Sequence, residues 1–297
     1  MPEFAFIPRL LAAEIFALAG SSAFAGNAAS LDMPAMIDAH AHYSEPDAAA
    51  FSPEAVLAKL DAAGVRRLVV TSSPPGLAQR LVQHAPGRVI PLLGVYGPDV
   101  DKANWMHDAA LPDRVAAWLA EGTWAGIGEL HLFANEAANP VFARLVRMAD
   151  ERRLVLMIHG DAEVVDQVFE LAPGARVLWA HLGTRPEPEL LGRMLARYGD
   201  RLWIDTSVRD ERIAPRGRLL AVWRALFERY PDRFVVGVDT FSVNRWQHYE
   251  AVAGQIRAWV DTLPQPLKNN LLHDNAARLF EPFLRQGAAG EPGARRL

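Results

Sequence analysis

The chain has 297 residues, 51% hydrophobic and 22% charged, which suits a soluble protein with a large core and excludes disorder along its whole length. A net charge of −4, with no run of Lys or Arg, argues against a nucleic-acid-binding surface. The absence of cysteine excludes disulfides, thiolate metal sites and a cysteine nucleophile, and leaves the compartment open.

The first residues read as a secretory leader. Arg9 precedes an apolar stretch over 10–19, and Ala23-Phe24-Ala25 offers small residues at the two positions a signal peptidase reads. This predicts a signal peptide over 1–25 and a periplasmic or secreted protein. Glu3 and Glu14 run against the pattern, and the competing readings are a packed N-terminal helix or a start near Met33, with a cytoplasmic protein. The stretch is too short and too interrupted to span a membrane.

Eight short apolar runs rich in β-branched or aromatic residues follow, over 36–42, 67–72, 89–95, 124–131, 154–159, 177–181, 202–206 and 234–239. Their shortness, and the Gly or Pro at many of their edges, favours strands. Helix-like segments separate them. Ser52-Pro53-Glu54 supplies a cap and a first-turn proline, and Gly64 a stop. Amphipathic stretches run over 140–153, 163–172, 188–198, 218–230 and 246–263. Strands alternating with helices imply a parallel sheet, and eight such units in this length fit a closed (β/α)8 barrel. The catalytic domain is expected over 33–285, and the Gly-, Ala- and Arg-rich tail over 286–297 is expected to be disordered.

Barrel enzymes build their sites at the C-terminal ends of their strands. Here those ends read Asp38-Ala39-His40-Ala41-His42, Gly128-Glu129-Leu130-His131, His159-Gly160-Asp161, His181-Leu182-Gly183 and Asp239-Thr240. Residues two apart on a strand share a face, so His40 and His42 can both project into the barrel mouth, with Ala39 and Ala41 turned away. A lone strand-end histidine is more often a hydrogen-bonded structural residue than a ligand. Four of them with an aspartate, in barrel order, point to a divalent metal. Imidazole and carboxylate donors suit zinc first, and also manganese, nickel or iron.

The ordered set resembles the amidohydrolase superfamily, and most of all its amidohydrolase-related branch, which also includes decarboxylases. The resemblance is carried by Ile37-Asp38-Ala39-His40-Ala41-His42, Gly126-Ile127-Gly128-Glu129-Leu130-His131, Trp179-Ala180-His181-Leu182-Gly183, Gly237-Val238-Asp239-Thr240 and Asn275-Ala276-Ala277-Arg278-Leu279-Phe280. It implies that His40, His42 and Asp239 bind metal, and that His159 and His181 bind metal or substrate. Some binuclear members bridge their metals with a carboxylated lysine at the end of the fourth strand. Lys59, Lys102 and Lys268, the three lysines here, all lie elsewhere. Glu129 stands at the bridging place, as in TatD-type members; the alternative is a carboxylate that orients His131.

The resulting expectation is a hydrolase that turns a metal-activated water on an amide, lactone or ester of a small molecule, with one or two metal ions. Asp239 would carry the proton and His181, if free of metal, would stabilise the oxyanion. Non-oxidative decarboxylation on the same scaffold is the second reading, and a catalytically silent metal-binding barrel the third. Tyr43, His131, Arg209, Arg245 and Trp246 follow strand ends and are expected to line the mouth against substrate. Arg209 or Arg245 could pair with a substrate carboxylate, the alternative being pairing with Asp210 or Glu211.

Overall fold

The computed structural model describes residues 35–97 and 100–289. Eight strands, β1 (Met36–Ser44), β2 (Val65–Ser73), β3 (Val89–Leu93), β4 (Gly126–Leu132), β5 (Val155–Gly160), β6 (Arg176–Trp179), β7 (Leu202–Asp205) and β8 (Phe234–Val235), form one sheet in sequence order. Every neighbouring pair from β1 to β8 is parallel. The last strand returns to the first: Ala39 N donates to Val236 O at 2.9 Å and Asp239 N to His40 O at 2.7 Å. The (β/α)8 barrel expected from the alternation is the fold.

Helices cover the outside. Pro53–Ala62 begins where Ser52 accepts a hydrogen bond from Ala55 N, and the chain leaves it through Gly64 at φ +66°. Helices Pro140–Glu151, Ala162–Leu171, Pro188–Tyr198 and Ala221–Arg229 lie where amphipathic stretches were read. The stretch over 246–263 is divided between Val243–Gln247 and Tyr249–Val260, which meet at His248. Gly76–His84 and Leu111–Glu121, not read from the sequence, follow β2 and β3. Among the described residues no helix is long and apolar enough to cross a membrane.

The barrel core joins Ile37, Ala39, Val69, Leu92, Met157, Leu178 and Val235 to Ala276, Leu279 and Phe280 from the late helical segment. The Asn275–Phe280 motif is thus a structural plug at the strands' N-terminal end. The buried Asn275 amide donates to Pro231 O and Phe234 O, tying that plug to the start of β8. Helix Glu281–Ala289 follows, so the expected tail is helical at its start; residues 290–297 and the leader expected over 1–25 lie outside the described residues.

Four strands end earlier than their apolar runs suggest, β3 at Leu93 and β7 at Asp205 as well as β6 and β8. β6 stops at Trp179, and His181 sits in a tight turn, Ala180–Leu182, at φ +59°. The β8 ladder stops at Val235, because residues 236–239 pair irregularly with a β1 that carries an extra residue: Asp38 and Ala41 face Leu68 and Val70 of β2. Such a bulge re-aims the side chains that follow it.

Candidate metal centre

The bulge explains how β1 presents its histidines. His40 and His42 converge, Nε2 to Nε2, at 3.2 Å. Ala39 does not turn away as strict alternation predicts; it joins the interior cluster, since the extra residue breaks the period of two. Asp38 secures the bend, accepting from His40 N, Val238 N and the Tyr249 hydroxyl. Gly237 lets β8 approach, because a Cβ there would lie 2.6 Å from the His40 Cβ.

Asp239 faces this pair from β8. Its Oδ1 lies 3.2 Å from His42 Nε2 and 3.6 Å from His40 Nε2, and is buried without a hydrogen bond. Its Oδ2 lies 3.9 Å from His181 Nε2. Asp239 and His181 both adopt left-handed backbone, at φ +57° and +59°. Side chains rarely hold that conformation unless the surroundings enforce it, and such positions gather at functional sites.

Glu129, at the heart of β4, is buried among five imidazoles. Its Oε1 is 2.9 Å from His159 Nδ1 and 3.1 Å from His181 Nε2. Its Oε2 is 3.4 Å from His42 Nε2, 3.5 Å from His131 Nε2 and 3.7 Å from His40 Nε2. The flanking glycines bring β4 this close to β5: a Cβ on Gly126 would meet Val155 O at 2.4 Å, and one on Gly128 would meet Met157 O at 2.6 Å.

Two residues that sequence reasoning missed wire the histidines from behind. Asp205, at the end of β7, accepts from His40 Nδ1 at 3.0 Å. Its other oxygen accepts from the Ser207 hydroxyl and from Ser207 N. With its proton given to Asp205, Ser207 Oγ accepts from His181 Nδ1 at 2.8 Å. Both imidazoles therefore turn Nδ1 to these partners behind them and Nε2 toward the carboxylates. The signal for Asp205 was present, since a carboxylate stands one residue before the end of the seventh apolar run, as Asp239 closes the eighth.

Five imidazoles and two carboxylates converge here, donor types that suit a divalent cation. The electrostatics say the same. Burial opposes charge on His40, yet Asp239, Asp205 and Glu129 outweigh it and hold its pKa well above the ordinary value. Burial likewise opposes ionisation of Glu129 and Asp239, yet His40 and the neighbouring imidazoles hold both below the usual carboxylate range. This is a cation-seeking pocket, and its nitrogen and oxygen donors fit a divalent metal. His40, His42 and Asp239 form one group with ligand atoms within 4.8 Å of one another, and Glu129, His131 and His159 form another.

A model of the Amidohydrolase family matches residues 37–281. The chain belongs to the amidohydrolase family. The matched region starts at β1 and ends at the plug that closes the barrel base, so it holds every member of the cluster. No curated protein matches the sequence. Among solved structures the chain is similar to a TatD homologue from Escherichia coli K12, with 15% identity, TM-score 0.59, and coverage of 83% of this chain and 98% of that one. It is similar to a candidate 2-pyrone-4,6-dicarboxylic acid hydrolase from Pseudomonas putida, with 18% identity, TM-score 0.57 and coverage of 84% and 98%. It is also similar to N-acetyl-D-glucosamine-6-phosphate deacetylase from Mycobacterium smegmatis, with 20% identity, TM-score 0.56 and coverage of 84% and 76%. At these identities the likeness shows the fold.

In this family member a cavity of about 620 Å3 opens over the cluster. Its lining includes His42, Glu129, His131, His159, His181 and Asp239, with Arg209 and Arg245 at its edge as expected. Neither arginine pairs with Asp210 or Glu211 among the described residues. Arg209 Nε donates to His181 O at 3.0 Å, and Arg245 Nε to Val238 O at 3.0 Å. His131, expected as a substrate contact, is buried in the cluster itself, stacked on His159 with ring centroids 4.4 Å apart. Burial, opposed by Glu129, pushes its pKa down to about 3. The Tyr96 hydroxyl, another residue the sequence did not flag, accepts from His131 N and lies 3.0 Å from its Nδ1.

Tyr43 and Trp246 stand apart from that cavity. The Tyr43 hydroxyl donates to Phe51 O at 2.6 Å, and its buried ring meets Trp246 edge-on. Tyr43 borders a narrow hollow beside His42 and Glu129. Trp246 is wholly buried; its indole donates to His42 O at 3.0 Å and stacks on Tyr249. Packing behind β1 requires apolar surface at these positions, which is why following a strand end does not place them in the mouth.

Proposed function

We propose that this amidohydrolase is a metal-dependent hydrolase of an amide, lactone or ester bond in a small molecule. The observation that carries the reading is the convergence of His40, His42, His159 and His181 on the buried carboxylates of Glu129 and Asp239. His40, His42 and Asp239 would hold one divalent ion, with zinc the first choice. Glu129 and His159, with His181 or His131, could hold a second. When bound, such an ion supplies Lewis acidity, polarising the scissile carbonyl and making water a stronger acid.

The chain's own groups then divide the work. Asp205 and Ser207 fix the ring orientations of His40 and His181. Asp239 faces the cavity and can take the proton of the attacking water and pass it to the leaving nitrogen or oxygen. His181 Nε2 lies 3.1 Å from Glu129 Oε1 and 3.9 Å from Asp239 Oδ2, among the other candidate ligand atoms. That favours a ligand role for His181 over the oxyanion role expected from the sequence.

The test is metal analysis of purified protein, followed by amide, lactone, ester and carboxylic-acid substrates before and after chelation. Metal at or above one equivalent is expected, with hydrolysis lost on chelation and restored by zinc or manganese. Full turnover in metal-free protein would sink the reading. Release of carbon dioxide without any hydrolysis would transfer it to decarboxylation.

A further inference from the structure

The mouth of the cavity carries three cationic side chains: Lys102 after β3, Arg209 after β7 and Arg245 after β8. In an eight-membered ring of strands, β3 stands opposite β7, so positive charge flanks the metal centre from two sides. None of the three forms an ion pair among the described residues. Arg209 and Arg245 are anchored to the backbone carbonyls of His181, Gly183 and Val238, and the Arg245 guanidinium lies over the Phe241 ring, 5.9 Å from its centroid, close enough to Asp210 to favour that carboxylate's ionised form. Lys102 lines the cavity and makes no hydrogen bond among the described residues; its charge is close enough to be felt at His131.

The acidic groups nearby do not cancel this arrangement. The Asp210 carboxylate accepts from the Trp259 indole at 2.8 Å, and Glu129 and Asp239 face the histidines. Glu211 is the remaining rim carboxylate and makes no ion pair among the described residues. Between the cationic sides the lining offers Phe241, 59% exposed, and Val208, surfaces for a hydrocarbon body.

We propose that the substrate is a small dicarboxylate, one carboxylate held by Arg209 and Arg245 and the other by Lys102, with the bond to be broken between them over the metal centre. The bond broken rests on the hydrolase reading above; the charge pattern does not, and binding alone tests it. Three non-hydrolysable probes of similar shape separate the number of carboxylates: glutarate with two, 5-oxohexanoate with one, and heptane-2,6-dione with none. Calorimetric titration of the zinc-loaded full chain should rank them in that order.

Glutarate is expected to bind about tenfold more tightly than 5-oxohexanoate, as one added charge-assisted contact provides. Because Lys102 is exposed and makes no hydrogen bond or ion pair among the described residues, Lys102→Met should fold normally and bring the glutarate to 5-oxohexanoate ratio close to one. Equal binding of these two probes by the unaltered protein, or an unchanged ratio in Lys102→Met, overturns the proposal. So does inorganic phosphate binding more tightly than glutarate, which would assign the cationic rim to phosphoryl groups. Zinc content and ester turnover on the same preparation report separately on the hydrolase reading.

Discussion

Asp205 Oδ2 lies 3.0 Å from Nδ1 of His40, 165 residues earlier in the chain, and both side chains are wholly buried. This contact decides which imidazole nitrogen faces Asp239 and Glu129. Removing it should leave a metal pocket of the right composition with a ring free to turn. Asp205→Ala is expected to lower zinc affinity by about 10- to 100-fold, as loss of a carboxylate behind a ligating histidine does. Competition with a chromophoric chelator measures it; unchanged affinity in a folded variant would remove the orienting role.

Asp239 offers a buried oxygen with no hydrogen-bond donor to a site of imidazoles. Asparagine keeps the shape and loses both the charge and the proton-accepting oxygen. Asp239→Asn is expected to cut kcat by about a hundred- to ten-thousand-fold, the range for a lost general base. The comparison must be made at equal metal content, since the same substitution weakens a ligand. Near-normal turnover in a fully metallated variant would exclude the proton-transfer role.

Glu129 is the one carboxylate within reach of both candidate ligand groups, with His42 on one oxygen and His159 on the other. If it joins two ions, Glu129→Gln should reduce bound metal from about two equivalents towards one, as neutralising a charged ligand would. Elemental analysis at saturating zinc reads the number directly. A metal-saturated crystal structure with a single ion, and Glu129 bonded elsewhere, would defeat the two-ion arrangement.

The leader over residues 1–25 is a proposal from the sequence alone. Its Arg9, apolar stretch and Ala23-Phe24-Ala25 predict that protein recovered from its native host begins at or near Gly26. N-terminal sequencing checks this, and intact Met1 on cytoplasmic protein would contradict it.

The barrel was legible because its cause is local. Short β-branched runs separated by capped amphipathic segments can bury their apolar faces only by winding in parallel, and eight of them meet. The candidate ligands were legible for the same reason: His42, His159, His181 and Asp239 each end a run, His40 and Glu129 stand two residues before an end, and that fold gathers strand ends in one place.

What the chain's one-dimensional order could not express is which way each group turns once gathered. A bulge of one residue in β1 put Ala39 into the core, and helix packing drew Tyr43 and Trp246 behind the sheet. His131 lines the cavity from within the cluster, with the Tyr96 hydroxyl at its back. Asp205 and Ser207 became the residues that orient the rings of His40 and His181. Each of these depends on contacts between distant segments within hydrogen-bond distance, where a shift of one residue or one rotamer changes the partner, and local periodicity carries no record of that choice.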